Sequence, residues 1–296
     1  MLVKRIDLSI KKGYVMRVII VPTDFSENAF NALTCAMEYF KYERSKFVLL
    51  HTYADEVYEN KEVISRDILD EYKEIKRKES EVKLSTTLEN ARQVSPNPKH
   101  TFETLALFGT LLDEVNILVN KENADLVVMG TQGKTADRNI TYGSNTLQVI
   151  RYVKCPVLGI PLDYKHQRPD RILFPSALMI PYKNRELKLV SCLARSFRST
   201  VDLLYISNYD RLSLRQEDVK TLWEYRFRES AINYTRKDEG NVASIINEYI
   251  KDQGVNLLVM VNSKHTYMET LLHTSAIDTV GLNTKIPFLI LQNLPR

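Results

Sequence analysis

Cysteine and glycine are scarce in this sequence, which has 3 cysteines and 9 glycines among 296 residues. Cys35, Cys155 and Cys192 lie far apart and form no C-x-x-C pair, which argues against a disulfide framework or a zinc site. Reduced thiols of this kind are typical of a cytoplasmic protein. Apolar runs long enough to span a bilayer are also missing, and residues 1–15 lack a signal-peptide core. The sequence therefore predicts no membrane segment.

Charge of one sign is not in excess, because 41 basic side chains face 37 acidic ones and leave a formal net charge of +4. Acidic and basic residues are interspersed in residues 73–83 (KEIKRKESEVK). This pattern favours a solvated helix over a nucleic-acid footprint. We expect no nucleic-acid partner. The longer charged stretch of residues 56–93 is expected to form a solvent-facing helix pair, with an arm for a protein partner as the alternative.

Short apolar runs recur along the chain and alternate with segments of helical periodicity. The runs are RVIIVPTD, KFVLLHTY, TFETLALFG, DLVVMG and PVLGIP in the first half, then RILFPSA, VDLLYIS, INYTRKD, NLLVMVN and PFLILQ. Runs that are apolar on both faces are typical of parallel strands covered by helices. Ser26 and Thr110 are expected to cap two of the intervening helices. The alternation predicts an α/β fold with right-handed crossovers.

The two halves of the chain repeat each other. Aligned pairs are Pro22 with Pro175, Leu49 with Leu203, Met129 with Met260, and Pro156 with Pro287. The first two pairs are 153 and 154 residues apart, and the last two are both 131 apart. The difference, 154 − 131 = 23, places about 23 additional residues in the middle of the first half. The sequence thus predicts one α/β domain present twice.

Three of the nine glycines, Gly130, Gly133 and Gly143, fall within residues 129–145 (MGTQGKTADRNITYGSN). Glycine suits a positive φ or a close approach to the main chain. Gly143 and Ser144 open a predicted helix, whose first N–H groups suit a phosphate, with Lys134 as a countercharge. The segment is neither a Walker A loop nor a G-x-G-x-x-G fingerprint. A phosphate site and a plain turn-rich loop are both open interpretations of these residues.

The spacing Gly130-x₂-Gly133-x₉-Gly143-Ser144 resembles the G-x₂-G-x₉-G-[S/T] signature of ATP-binding universal stress proteins. The same half also carries VIIVPTDFSENAFNAL, LLHT, ADLVVMGTQGK and VKCPVLGIP. The resemblance covers residues 16–162 and, in weaker form, 168–296, which implies two domains with these bounds after an extension of residues 1–15. For each domain it implies a doubly wound, five-stranded parallel sheet of order 3-2-1-4-5 with helices on both faces.

The resemblance also implies a site for ATP or a related adenine nucleotide, with Mg²⁺ accompanying ATP. Its residues would be Pro22, Thr23 and Asp24 beside the adenosine, Thr52 at the adenine, Met129 and Gly130 near the ribose, and Gln132, Gly133, Gly143, Ser144 and Asn145 around the phosphates. Asp24 would be the polar anchor, with a second role as a helix cap left open. Gln132 stands where some relatives have histidine. No carboxylate cluster marks a metal site of its own.

The second half lacks most of these residues. The corresponding positions hold Val261, Lys264 and Thr274 in place of the glycines, Ala177 in place of Asp24, and Ser275 in place of Ser144. A valine resists positive φ and puts a branched side chain where a ligand would meet the backbone. We expect the second domain to keep the fold without the nucleotide. The family's dimers imply that it pairs with the first through the last strands, VLGIP and FLILQ, as an intramolecular pseudo-dimer; a further homodimer is left open.

The leading hypothesis for function is a non-enzymatic, ATP-binding stress or signalling protein with an unidentified protein partner. A slow ATPase and a ligand-free interaction scaffold are the alternatives. The sequence offers no activated nucleophile or arginine finger at a fixed spacing, which disfavours phosphoryl transfer. His51 and Tyr53 are expected to pack rather than to catalyse. His265 and His273 lack the further ligands that a zinc site requires.

Overall fold

The computed structural model describes residues 16–60, 65–132, 143–165, 168–263 and 285–293, which contain ten strands and eight helices. Strands β1 to β10 are Arg17–Pro22, Ser45–Thr52, His100–Leu107, Leu126–Gly130, Val157–Ile160, Arg171–Pro175, Thr200–Ile206, Ala231–Lys237, Leu257–Asn262 and Phe288–Gln292. Helices α1 to α8 are Glu27–Tyr39, Ala54–Tyr58, Arg66–Val94, Leu111–Lys121, Ser144–Tyr152, Asn184–Phe197, Leu214–Phe227 and Val242–Gln253. All ten apolar runs of the sequence contain a strand. None of the described helices is long and apolar enough to cross a membrane.

The strands form one ten-stranded sheet of order β3-β2-β1-β4-β5-β10-β9-β6-β7-β8. Within each half all pairings are parallel, and the order is 3-2-1-4-5. The predicted fold class and strand order are therefore confirmed. The domain bounds 16–162 and 168–296 stay predictions.

The sheet has a hydrophobic core on each face. Leu33 of α1 and Trp223 of α7 belong to one core, and Val115 of α4 and Ile246 of α8 belong to the other. Residues of both halves contribute to each core. Because each strand of the interior is covered on both sides, alternation of polar and apolar residues is weak there, as the sequence runs indicated.

The caps expected from the sequence are present at the starts of α1 and α4. The Ser26 hydroxyl accepts a hydrogen bond from Ala29 N at 3.2 Å, and the Thr110 hydroxyl accepts one from Asp113 N at 3.3 Å. Each cap satisfies one N–H group that the first turn of a helix leaves without an acceptor. These bonds fix where the chain leaves β1 and β3.

The additional residues of the first half lie between β2 and β3, where the chain forms the short α2 and the 29-residue α3, whereas the second half has the 14-residue α7 between β7 and β8. Helix α3 buries Leu84 and Ala91 against the sheet, whereas its outer face carries ion pairs such as Arg77 with Glu74 and Glu81. The solvent-facing helix pair expected within residues 56–93 is thus one long helix, α3, because the short α2 precedes it and buries Ala54 and Val57. Exposed pairs of this kind stabilise a helix only slightly, and burial of the apolar stripe holds α3 in place.

The two halves meet where β5 and β10 pair antiparallel, with Leu289 opposite Leu158, Phe288 opposite Gly159 and Ile290 opposite Val157. The central leucines are 131 residues apart and occupy equivalent positions of the repeat. Beside them the pairing is uneven, since a Cβ added at Gly159 would overlap the Phe288 ring. The bare backbone of Gly159 therefore makes room for that buried ring.

Polar contacts flank this joint. The Arg185 guanidinium donates to the carbonyl oxygens of Asn123 and Ala124 at 3.0 and 3.1 Å and pairs with Asp125 at 3.0 Å. The buried Gln292 amide donates to the Ile150 carbonyl oxygen, in the last turn of α5, at 2.7 Å. Such bonds satisfy backbone carbonyl groups of the first half with side chains of the second.

We predict that Gly159→Ala lowers the free energy of unfolding by about 1–3 kcal/mol, because the new methyl group overpacks the joint. Phe288→Leu in the same chain should recover part of this loss, and urea denaturation followed by circular dichroism measures both. Gly240→Ala is the matched control, since its Cβ would lie 3.4 Å from the nearest atom, Ile245 Cδ1. Additive effects of the two substitutions at the joint would contradict the proposed contact.

Candidate functional site

The candidate site lies where the first half of the sheet reverses its winding. Strand β1 pairs with β2 on one side and with β4 on the other, so the crossovers leave the carboxyl ends of β1 and β4 in opposite directions. Ligands of open parallel sheets bind in the crevice at this point. Pro22 and Gly130 end the two strands, and Thr52 ends β2 beside them.

The turn after β1 is held by hydrogen bonds to its backbone. Thr23 N donates to the Leu50 carbonyl oxygen of β2 at 2.8 Å, and the Thr23 hydroxyl accepts from Phe25 N at 3.0 Å. The buried His51 donates from Nδ1 to the Thr23 carbonyl oxygen at 2.8 Å. His51 is thus used to position the turn, as the packing interpretation of its sequence position expects.

Asp24 projects from this turn and accepts a hydrogen bond from Ser26 N through Oδ1 at 3.0 Å. Ser26, not Asp24, is the N-cap residue of α1. Phe25 has a φ of 63°, which is uncommon for a residue other than glycine. The carboxyl group of Asp24 thus sits beside a tightly bent backbone at the mouth of the crevice.

The second half repeats the same turn without the carboxylate. Ser176 N donates to the Leu204 carbonyl oxygen at 2.9 Å, the Ser176 hydroxyl accepts from Leu178 N at 2.9 Å, and the φ of Leu178 is 57°. Ala177 occupies the position of Asp24. The bent backbone therefore belongs to the fold, and it forms without the aspartate.

The helix that follows this turn begins later in the second half than in the first. Met179 stands at the position of Ser26, and α6 begins at Asn184 with no side-chain cap. By the 153-residue offset, the counterpart of Glu27, where α1 begins, is Ile180. Loss of the cap thus accompanies a helix that starts four residues later (184 − 180).

Gly130 is required for close packing rather than for a positive φ. Its φ is not in the left-handed region, where Gly254 lies. An added Cβ would come within 2.6 Å of Asn28 Nδ2 and 3.1 Å of the Asn28 backbone. Of the two reasons considered for a glycine, a positive φ and a close approach to the main chain, only the second therefore applies at Gly130, and the close approach comes from Asn28 in the first turn of α1.

Gly143 is the N-cap residue of α5, with a φ of −65° and no side-chain cap. The positive φ considered for the glycines does not occur here either. Ser144 and Asn145 follow with exposed side chains, and no side chain in the described ranges caps the first N–H groups of α5. Gly133 and Lys134 lie outside the described residues.

Two buried side chains that sequence reasoning missed hold these pieces together. Asn28 donates from Nδ2 to the Gln132 carbonyl oxygen at 3.0 Å, and the Thr146 hydroxyl donates to the Gly130 carbonyl oxygen at 3.1 Å. Gly143 N also donates to the Thr131 carbonyl oxygen at 2.7 Å. The sequence signal for these contacts was a polar residue on the inward face of each helix. This signal is not specific, because many polar residues of helices only cap the helix or face the solvent.

The structure therefore brings together ten of the eleven predicted site residues, at the carboxyl ends of the strands of the first half. Pro22, Thr23 and Met129 are largely buried, and Asp24, Thr52, Gly130, Gln132 and Gly143 are partly exposed. Burial raises the pKa of Tyr53, next to Thr52. No three His, Cys, Asp or Glu side chains cluster as metal ligands in the part of the chain that the structure describes. His265 and His273 lie outside it.

In the second half, Val261 ends up at the position of Gly130, near the carboxyl end of β9, and is buried in the core. The counterparts of the other site positions, Lys264, Thr274 and Ser275, lie outside the described ranges. The described part of this half thus retains the sheet and lacks both Asp24 and the bare backbone at the strand end.

Comparison with known proteins gives consistent matches. The pattern of the Universal stress protein family matches residues 16–161. Universal stress protein MJ0577 of Methanocaldococcus jannaschii is 30% identical over 156 residues, which are 48% of this chain and 93% of that protein. A universal stress protein crystal structure from Archaeoglobus fulgidus superimposes with a TM-score of 0.64 at 16% identity, over 93% of this chain and 98% of that one.

A universal stress protein solved in complex with cAMP matches 49% of this chain and 96% of its own, at 20% identity and a TM-score of 0.36. A putative universal stress protein from Pseudomonas aeruginosa matches 94% of both chains, at 13% identity and a TM-score of 0.56. The two structures that extend over both halves share the fold of the whole chain. From its sequence match and its fold, this chain belongs to the universal stress protein family.

Proposed function

We propose that the first half binds ATP or a related adenine nucleotide and that the protein acts in a stress response or in signalling without catalysing a reaction. The observation that carries the proposal is the convergence, at the switch point of the sheet, of Asp24, the bare backbone of Gly130 and the start of α5, which no described side chain caps. An uncapped helix start favours an anion through its free N–H groups and its dipole.

Each part of the site has a distinct role in this proposal. Asp24 binds the polar edge of the adenosine, and Pro22, Thr23 and Thr52 border it. Met129 and Gly130 lie at the ribose. The phosphates are bound by Gln132, Gly133, Gly143, Ser144 and Asn145, largely through main-chain N–H groups, and Mg²⁺ enters with ATP.

A ligand-free scaffold is the second candidate, and the contact between Gly130 and Asn28 favours it. This contact gives the glycine a packing reason that needs no nucleotide. A slow ATPase is a weaker candidate, because the described residues offer no group placed to activate water.

In this proposal the second half is a partner domain that binds no nucleotide. Its last strand pairs with that of the first half, so we interpret the chain as an intramolecular pseudo-dimer with one occupied site. Nucleotide occupancy would then change the affinity of the protein for an unidentified protein partner. The reduced state of the three cysteines supports a cytoplasmic location.

The first prediction concerns occupancy. Mass spectrometry of small molecules released by denaturing freshly purified protein should find about half an adenine nucleotide per chain or more. The Gly130→Val variant should release none while its circular dichroism spectrum stays unchanged. An empty wild-type protein that also gives no heat with Mg-ATP in calorimetry would leave the scaffold as the function.

The second prediction separates packing from ligand binding at Gly130. Gly130→Ala alone should lower both stability and affinity for Mg-ATP. In an Asn28→Ala background the same substitution should cost less stability, because the overlap with the Asn28 side chain is removed and only the contact with its backbone remains, but it should still weaken binding by about tenfold. Gly109→Ala is the control, since its Cβ meets only the flexible end of Glu114. Recovery of affinity together with stability would mean that the glycine serves packing alone.

The third prediction concerns Asp24. Asp24→Ala should weaken Mg-ATP binding by about 10- to 100-fold, the loss expected for a hydrogen bond to a charged group. The unfolding free energy should change by less than about 1 kcal/mol, because Ala177 supports the same turn in the second half. Asp113→Ala, in the first turn of α4, provides a matched loss of one carboxylate. Unchanged calorimetric affinity in Asp24→Ala would remove this residue from the site.

A further inference from the structure

Helix α5 connects the candidate site to the second half of the chain. Its first turn is tied to the end of β4, because the Thr146 hydroxyl donates to the Gly130 carbonyl oxygen at 3.1 Å. Its last turn contains Ile150, whose carbonyl group is one of those that the end of a helix leaves without an intrahelical donor. Ser144 and Ile150 are only about 9 Å apart along the helix axis, so both ends belong to one short, rigid element.

The second half supplies a donor for this carbonyl group. The Gln292 side chain, 1% exposed at the end of β10, donates from Nε2 to the Ile150 carbonyl oxygen at 2.7 Å. Asn262, at the end of β9, donates from Nδ2 to Gln292 Oε1 at 2.9 Å and to the Ile150 carbonyl oxygen at 3.3 Å. The bond from Asn262 determines which end of the Gln292 amide is the oxygen, and so it directs Nε2 toward α5.

The sequence does not repeat this pair of amides in the first half. By the 131-residue offset, the counterparts of Asn262 and Gln292 are Thr131 and Pro161. A proline side chain carries no donor, so the first half has no equivalent of the Gln292 bond. The amides therefore belong to the half that lacks a counterpart of Asp24, and their bonds run to the half that has it.

We propose that Gln292, oriented by Asn262, is a positioning residue for the nucleotide site, through which the second half sets the affinity of the first half for phosphate-bearing nucleotides. This inference rests on the proposed function, in which N–H groups at the start of α5 bind the phosphates. Those groups keep a fixed orientation relative to the rest of the helix, because internal hydrogen bonds fix its backbone. Loss of the donor at Ile150 lets α5 shift relative to β4, and contacts that are no longer supported from behind bind more weakly.

Arg185 provides a matched contact that does not involve α5. It also lies in the second half, and it donates to carbonyl oxygens at the end of another helix of the first half, those of Asn123 and Ala124 after α4. Hydrogen bonds from a charged donor contribute at least as much as those from a neutral amide. None of the predicted site residues lies in α4. A general effect of loosening the joint should therefore appear in Arg185 variants, whereas an effect of positioning α5 should not.

Calorimetry of the full chain with Mg-ATP and with adenosine tests the assignment. Gln292→Met removes the donor and keeps a side chain of similar length, so the Kd for Mg-ATP should rise by about three- to tenfold. The Kd for adenosine, which has no phosphates, should stay unchanged. Asn262→Ala should give a smaller rise for Mg-ATP, because Gln292 keeps its bond to Ile150. Arg185→Met should leave both dissociation constants unchanged.

Hydrogen exchange of the nucleotide-free chain gives a second readout. The amides of residues 144–153 should exchange faster in Gln292→Met than in the wild type, because α5 opens more often when its last turn loses a donor. Arg185→Met should leave the exchange of these residues unchanged. If Gln292→Met does not fold, Asn262→Ala is used for both measurements.

Unchanged affinity for Mg-ATP in Gln292→Met would overturn this inference and leave the proposed function in place. An equal loss of affinity for adenosine, an equal loss in Arg185→Met, or unchanged exchange in α5 would overturn it as well, since the amides would then serve only the cohesion of the fold. A wild-type chain that binds neither Mg-ATP nor adenosine would overturn the proposed function and this inference together.

Discussion

The antiparallel pairing of β5 with β10 is the contact on which the arrangement of this molecule depends. Each half has a sheet whose last strand would otherwise end in unpaired backbone groups. Pairing these two strands satisfies both edges at once and makes the hydrophobic cores on each face continuous across the chain. The outer strands, β3 and β8, are left as the two ends of the sheet. Strand β3 is packed against α3, whereas most residues of β8 are exposed.

Much of the fold could be predicted from the sequence because its signals are local. Apolar runs indicate buried parallel strands, and Ser26 and Thr110 indicate helix starts. The repeat indicates that the second half has the same fold as the first. The order of the strands came from family resemblance, since strand neighbours in a parallel sheet are joined by long crossovers that a local pattern does not encode. The structure agrees with all of these.

The candidate site was predictable in position but not in its internal contacts. The glycine spacing identified the strand end and the helix start, and the structure places both at the switch point. The reason for Gly130 was missed, because it depends on Asn28, which is 102 residues earlier in the chain. Contacts between distant segments are set by packing, and a sequence pattern within one segment carries no record of them. The second half shows that the turn does not need the aspartate, since the same turn forms there with Ala177 at the position of Asp24.

The uneven packing at Gly159 and Phe288 bears on how such a chain can evolve. When two separate copies of one domain associate about a two-fold axis, every substitution occurs on both sides, and a large residue must tolerate its own image. Two domains joined in one chain need not obey that symmetry. A side chain in one strand can become larger while the facing side chain in the other strand becomes smaller. Gly159 opposite Phe288, beside Val157 opposite Ile290, is an asymmetric solution of this kind. It makes the first half a poor partner for another first half, and so the joint itself favours the pairing of unlike halves.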